Sequence, residues 1–361
     1  SADNDLLIEG INNYYDGLYR QAINNFNTYI NDKNENTVDA LYYQTLAYLQ
    51  LNQVVDAKAN ISFLSEMGYS FGILHWELGE LYLNENGYYD SPFYNEAKKE
   101  LEKAKQLGIE SAGLHSDLAT AYQGLGNFEK AADEYEMAIK KGAISDYINL
   151  ASLYMEVGKF DSALNVYKKA VQENPESPSI YINMGDIYLQ KEEYEEAINI
   201  LQQGNELDSS IVGLQTKLAK AYYFNEDYEK AKQIFSSIVK DNPNIYEAYY
   251  YLAEIYNKVE ENTELAINYY QQAVSYNRNY VKAYLALGDI YLEKDENYKA
   301  MSQYLKALES NSDYPDAHYR LALAYNAMNM KQAAIEELKK TLHLDSSNNK
   351  ARLLLNKLQE E

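Results

Sequence analysis

The sequence predicts an all-α fold in which short helical hairpins stack one on another. Apolar residues recur at helical spacing in short segments, and a pattern of small and aromatic residues repeats about every 34 residues along the 361-residue chain. Each hairpin of such a repeat packs only on its neighbours. The repeats therefore predict one continuous αα superhelix, a single solenoid domain over residues 1–361.

The clearest copy of the hairpin begins at Leu118. Leu118, Ala119 and Tyr122 share one face of a first helix, and Gly126 marks the turn that follows. Ala131 then lies on the matching face of a second helix. Small residues are needed on both faces because two helices approach closely only where a side chain of one is small enough to leave room for a side chain of the other.

The same residues recur in register along the chain. The tyrosine of the first helix recurs as Tyr48, Tyr82, Tyr122, Tyr154, Tyr188, Tyr222, Tyr256, Tyr291 and Tyr325. The alanine of the second helix recurs as Ala22, Ala57, Ala97, Ala131, Ala163, Ala197, Ala231, Ala266, Ala300 and Ala334. A glycine or alanine precedes most of the tyrosines by three positions, which supports close packing of the two helices.

A small residue, a Tyr, an Ala and an aromatic residue at this period resemble the tetratricopeptide repeat family over nearly the whole chain. The resemblance implies a right-handed superhelix whose first helices line a concave groove that binds extended peptides or partner helices. We count ten hairpins, beginning near Asp3, Val38, Gly72, Ala112, Ile144, Pro178, Val212, Tyr246, Val281 and Pro315. Residues 349–361 predict a capping helix with a polar outer face.

Composition narrows the classes of partner and compartment. The formal net charge of −23 disfavours nucleic acid and anionic lipid, and it suits either a basic protein partner or simple solubility. The absence of Cys excludes disulfides and thiolate metal sites. No apolar stretch is long enough for direct membrane insertion. The localisation stays open between the cytoplasm and an exported protein whose targeting segment is absent from this chain.

The sequence shows no constellation for catalysis, metal binding or a cofactor. Three histidines, His75, His115 and His318, occupy one position of their hairpins. Other hairpins place a tyrosine there, namely Tyr147, Tyr181, Tyr249 and Tyr284. We therefore predict that these histidines are packing residues and that the protein is not an enzyme.

The candidate binding residues are chosen from the outward positions of the first helices. They are Tyr14, Tyr15, Tyr42, Trp76, Glu80, Asp186, Tyr223, Phe224, Tyr250, Glu254, Asp289 and Tyr319. An insertion in the third repeat, residues 84–95, is a second candidate that either covers its own repeat or contacts a partner. Its aromatic residues are Tyr88, Tyr89, Phe93 and Tyr94.

These observations favour a non-enzymatic scaffold or adaptor that binds a segment of a partner protein, through acidic residues or exposed apolar anchors. The alternative is a structural protein that self-assembles, although copies of equal charge repel. A regulatory subunit of an enzyme is a third hypothesis. The family resemblance alone suggests a process, the assembly of a secretion, pilus, flagellar or envelope machine.

Overall fold

The structure, a computed structural model, describes residues 2–32, 37–84 and 93–360, and these residues form twenty-one α-helices and no β-strand. The chain divides into two units, residues 1–175 and 176–361. The helices of unit 1 are α1 (Ala2–Tyr15), α2 (Tyr19–Asp32), α3 (Val38–Gln50), α4 (Val54–Glu66), α5 (Gly72–Asn84), α6 (Tyr94–Gln106), α7 (Ala112–Gly124), α8 (Phe128–Lys140), α9 (Asp146–Glu156) and α10 (Phe160–Glu173).

Unit 2 continues the same alternation of paired helices. Its helices are α11 (Pro178–Gln190), α12 (Tyr194–Leu207), α13 (Val212–Phe224), α14 (Tyr228–Asp241), α15 (Tyr246–Lys258), α16 (Thr263–Tyr276), α17 (Val281–Glu293), α18 (Asn297–Ser310), α19 (Pro315–Ala327), α20 (Lys331–Leu344) and α21 (Asn349–Glu360). None of the described helices combines the length and the apolar composition that a membrane span requires.

Within each unit, every odd-numbered helix packs against the even-numbered helix that follows it, and that helix packs against the next hairpin. The predicted all-α fold of ten hairpins and one final helix is confirmed. Helix α9 begins at Asp146, two residues after the expected start near Ile144. The final helix α21 buries Leu358 in a core formed with Ala334 and Leu338 of α20.

The repeated alanines of the second helices lie in the core of the hairpins. All ten are completely buried: Ala22, Ala57, Ala97, Ala131, Ala163, Ala197, Ala231, Ala266, Ala300 and Ala334. Where the eighth residue of a first helix is glycine, a side chain of the second helix fills the space that a Cβ would occupy. A Cβ on Gly288 would lie 2.3 Å from Cε1 of Tyr304. Only glycine leaves room for the tyrosine ring that α18 presses against α17 there.

The two units make the turn inside each hairpin with different residues. One residue of most of these turns has a positive φ, which for a residue other than glycine costs on the order of 1 kcal/mol. In unit 1 these residues are Gly17, Asn52, Gly126 and Gly158. In unit 2 they are Glu192, Glu226, Glu261, Asp295 and Asn329. Unit 2 therefore tolerates strained acidic turns where unit 1 relies mainly on glycine.

Candidate functional site

Unit 2 carries a groove of about 520 Å³ on its first helices α13, α15, α17 and α19. The groove brings together five of the predicted binding residues. They are Tyr223, Phe224, Tyr250, Glu254 and Asp289. They come from three successive hairpins, because equivalent positions of neighbouring first helices lie side by side in a stack of repeats.

Aromatic rings form a continuous wall in this groove. The ring centroid of Tyr223 lies 5.3 Å from Phe224 and 5.0 Å from Tyr251, both in edge-to-face geometry. Tyr250 contacts Tyr251 and Tyr280 in the same geometry, with centroids 5.3 Å away in each case. Edge-to-face pairs stabilise one another beyond simple burial. Phe224 stays 41% exposed, so it is an apolar anchor held in place by its neighbours.

Glu254 lies beneath this wall and is only 6% exposed. Its carboxylate accepts hydrogen bonds from the hydroxyl of Tyr223, at 3.2 Å, and from the hydroxyl of Tyr270, and it also pairs with Lys258. Burial, reinforced by the charge of Glu254, raises the pKa of both tyrosines. Both phenols therefore stay protonated and donate to the carboxylate.

Asp289 anchors the other side of the groove. It accepts a hydrogen bond from the hydroxyl of Tyr304 at 2.8 Å and forms an ion pair with Arg320. Nε of Arg320 also donates to Asp316 at 2.9 Å. Glu254, Asp289 and Arg320 thus each have a partner of opposite charge, which leaves the aromatic surface as the main means of attraction of the groove.

One geometric rule links several of the acidic candidates. The ninth residue of a first helix faces the sixth residue of the next first helix. Asp186 of α11 pairs in this way with Lys217 of α13 at 2.5 Å, and Asp289 of α17 pairs with Arg320 of α19. Sequence reasoning missed Lys217 and Arg320 as partners because a repeat pattern specifies single positions, not the contacts across hairpins.

In unit 1 the same pair of positions holds two carboxylates, Glu80 of α5 and Asp117 of α7. Burial, together with the charge of Asp117, raises the pKa of Glu80 to about 7. Burial also raises the pKa of Asp117, although that carboxylate accepts a hydrogen bond from Nε1 of Trp76 at 2.7 Å. Trp76 itself packs on Gly113, where an added Cβ would lie 2.8 Å from its ring. These groups form a half-buried acidic surface beside an aromatic ring.

The candidates near the N-terminus form a separate aromatic cluster around Tyr43. The ring centroids of Tyr14 and Tyr15 lie 5.8 and 6.1 Å from that of Tyr43, and Tyr42 lies 5.2 Å from it. The hydrogen bond to Tyr15, with burial, raises the pKa of Tyr43 to about 12. Tyr15 is 71% exposed, whereas Tyr14 and Tyr42 are partly buried. The cluster therefore joins α1 to α3 and exposes one ring.

The remaining candidates lie elsewhere. Tyr319 packs against the core that includes α21. In the insertion, Phe93 contacts the ring of Tyr82 with centroids 6.1 Å apart, and the Tyr94 ring covers Gly124 of α7. Both of these residues thus fold back on the repeats. Tyr88 and Tyr89 lie outside the described residues.

The three repeat-position histidines are packed, as expected, but each also has a partner that sequence reasoning missed. Nδ1 contacts the seventh residue of the second helix, a glutamate in all three hairpins. The pairs are His75 with Glu100 at 2.6 Å, His115 with Glu134 at 2.5 Å and His318 with Glu337 at 2.5 Å. The signal was available, because glutamate occupies that position only in the hairpins that carry the histidine. In the described residues no group of three or more His, Cys, Asp or Glu is arranged to hold a metal.

The hairpins and the groove on the first helices define an α-helical repeat protein. Profiles described as tetratricopeptide repeats match residues 154–210, 216–258, 247–279, 288–329 and 316–345. The chain belongs to the tetratricopeptide repeat family. No curated protein sequence matches it significantly.

Solved structures of this family are similar to the chain at low sequence identity. Yeast Tom70 is 14% identical with a TM-score of 0.53, over 99% of this chain and 96% of that one. Pseudomonas aeruginosa pilF is 17% identical with a TM-score of 0.51, over 60% and 97%. YrrB, described as having an unusual peptide-binding site, is 26% identical with a TM-score of 0.40, over 52% and 96%. The first two share the fold.

Proposed function

We propose that this protein is a non-enzymatic scaffold that holds a segment of another protein in the groove of unit 2. The observation that supports this most is Phe224, an exposed aromatic ring fixed by Tyr223 and Tyr251 above a buried carboxylate. Aromatic anchors in a desolvated groove contribute much of the binding energy at protein interfaces.

The groove is organised before a partner arrives. The hydroxyls of Tyr223 and Tyr270 are bound to Glu254, so their rings keep one orientation. Binding then requires little ordering of side chains, and ordering is one of the main costs of association. An apolar or aromatic side chain of the partner would insert beside Phe224, and backbone groups of the partner would reach the polar rim.

Unit 1 supports a preference for basic partners. Glu80 and Asp117 repel each other, and a lysine or arginine of the partner placed between them would relieve that repulsion. Such a contact, together with the charge of −23, would accelerate association at low salt. We retain one solenoid over residues 1–361, and a role in assembling a multiprotein machine, as parts of this proposal.

A peptide display selection on the purified protein tests the groove, with the selected peptides standing in for the partner. Peptides selected on the wild type should bind Phe224→Ala at least about tenfold more weakly, which corresponds to the loss of one anchor. Tyr298→Ala is the control because this ring is 74% exposed on α18, outside the groove. Equal binding by the wild type and both variants would contradict the proposal.

The alternative of self-assembly is tested in the same preparation. Sedimentation velocity at about micromolar and higher concentrations measures the oligomeric state. A monomer at all concentrations agrees with a scaffold for other proteins. Concentration-dependent growth that Phe224→Ala abolishes would identify a second copy as the occupant of the groove.

A further inference from the structure

Unit 1 contains a second cavity, of about 560 Å³, which lies between α4, α5 and α6 and belongs to no part of the proposed protein-binding groove. Its lining is unusual for a chain with a net charge of −23. Three lysines and three serines converge there, Lys58, Lys99, Lys103, Ser62, Ser65 and Ser70.

Helical spacing places these side chains on two facing surfaces. Lys58, Ser62 and Ser65 follow one another at i, i+4 and i+7 on α4, so they share one face of that helix. Lys99 and Lys103 are separated by one turn of α6 and share the face opposite. Two equal charges at this spacing repel each other. An anion bound between the helices would attract both lysines and offset the repulsion between them.

The carboxylates of the cavity are already engaged with other groups. Glu100 contacts Nδ1 of His75 at 2.6 Å, and Glu102 accepts a hydrogen bond from the hydroxyl of Tyr122 at 2.6 Å. Neither Lys99 nor Lys103 forms an ion pair with any described residue. These contacts leave both carboxylates charged, so the lining sets three ammonium groups against two carboxylates and carries one positive charge in excess.

Lys58 contributes a third cation. Its ammonium lies 5.9 Å from the centroid of the Tyr82 ring, and the hydrogen bond to Tyr82 raises the pKa of this lysine above its usual value. The ammonium consequently stays charged at the edge of the cavity. Ser62 and Ser65 lie one and two turns further along α4 and supply hydroxyl donors.

We propose that this cavity binds a small soluble molecule that carries a phosphate group. Three ammonium groups suit a ligand with two or more negative charges, and the hydroxyls of the three serines would donate to its terminal oxygens. Lysine is a common phosphate ligand as a point charge. A cavity of this size is also within the range that holds small molecules.

Isothermal titration of the full chain with inorganic pyrophosphate tests this site. We expect a Kd below about 1 mM for the wild type and at least tenfold weaker binding by Lys99→Ala/Lys103→Ala. Lys168→Ala/Lys169→Ala is the matched control, since it removes the same charge from exposed positions of α10 in the same unit. This control should bind pyrophosphate like the wild type.

Three results would overturn the site: no binding of pyrophosphate, unchanged binding by the Lys99/Lys103 variant, or equal loss in both double variants. Binding of a phosphoserine peptide without binding of pyrophosphate would also contradict a soluble ligand. Circular dichroism checks that the variants fold, which we expect because alanine favours helices more than lysine does. Peptides selected for the unit 2 groove should bind both double variants as they bind the wild type. The result for the cavity therefore leaves the proposal for the groove unaffected.

Discussion

Glu80 and Glu254 occupy the same position, the ninth residue of a first helix, in unit 1 and unit 2 respectively. Glu254 is buried and accepts hydrogen bonds from Tyr223 and Tyr270. Glu80 instead faces Asp117, and its pKa rises to about 7. The repeat fixes where the carboxylate lies, but the neighbouring hairpins decide whether it stabilises the fold.

The difference shows how one position serves two purposes. In unit 2 the carboxylate is a structural group that orients the rings of Tyr223 and Tyr270. In unit 1 the carboxyl group of Glu80 lies against Asp117, shares a hydrogen bond with it and has a pKa of about 7. The same residue type therefore supports an apolar groove in one unit and an acidic surface in the other.

The largest effect should follow from removing Glu254. We expect Glu254→Ala to lower the free energy of unfolding by about 2 kcal/mol, because the buried hydroxyl of Tyr270 and the half-buried hydroxyl of Tyr223 lose their acceptor. Urea denaturation followed by circular dichroism measures the loss. Glu80→Ala is the control and should be neutral or stabilising. An equal loss of unfolding free energy in Glu254→Ala and Glu80→Ala would show that the carboxylate has the same role in both units.

Exchanging the charges at the sixth residue of a first helix tests its contact with the ninth residue of the preceding first helix in each unit. Lys217→Asp places a carboxylate against Asp186, as in unit 1, and should destabilise unit 2 by about 1 kcal/mol. In unit 1, Asp117→Lys creates the missing ion pair but removes the acceptor of Trp76 Nε1, so stability should change by less than about 1 kcal/mol while the pKa of Glu80 returns towards its usual range. Thermal unfolding and carboxyl titration by NMR measure both. A stabilised Lys217→Asp protein would show that the two positions are not in contact.

The titration of Glu80 should appear in the pH dependence of stability. The pKa of Glu80 is raised from 4.5 to about 7 in the folded chain, so the folded state keeps a proton that the unfolded state releases between these values. Stability conferred by this proton is present at low pH and is lost as the pH rises through about 7.

Glu80→Gln cannot release that proton, so it provides the reference for this measurement. The wild type should match Glu80→Gln below pH 4.5 and become progressively less stable than it towards pH 7. The free energy of unfolding of both proteins across this range decides the question. A constant difference would show that Glu80 titrates as an ordinary glutamate.

The smallest effect should come from a chelator. A cation bound by Glu80 and Asp117 would neutralise the repulsion between the two carboxylates. The described residues, however, contain no group of three or more His, Cys, Asp or Glu arranged to hold a metal. We expect EDTA to leave the unfolding midpoint unchanged in the wild type and in Glu80→Gln. A lower midpoint in the wild type alone would indicate a bound cation in unit 1.

The sequence was sufficient to predict the hairpins because each second helix needs a small residue at one position. Ala131 and its equivalents are completely buried, so a larger side chain there would overpack the contact between the helices. The partners of the site residues were harder to predict. Arg320 and Asp289 belong to different hairpins and lie 31 residues apart in the chain, and a repeat period does not specify a contact between them.

Glu254 illustrates the same limit from within the site. The helical pattern placed it among the outward residues, and it does line the groove, but rings from neighbouring helices cover it. Its burial depends on Tyr223 and Tyr270, which lie 31 and 16 residues away in the chain. A pattern confined to one helix contains no information about such contacts.

The pairing of ninth and sixth residues also bears on how a gene for such a protein can change in length. Loss of residues 212–314 would bring Asp186 against Arg320, which restores an ion pair at the new junction. Loss of residues 212–245 alone would bring Asp186 against Tyr251, with no cation. The charges along the first helices thus favour some products of recombination between repeats over others, by about 1 kcal/mol for each junction.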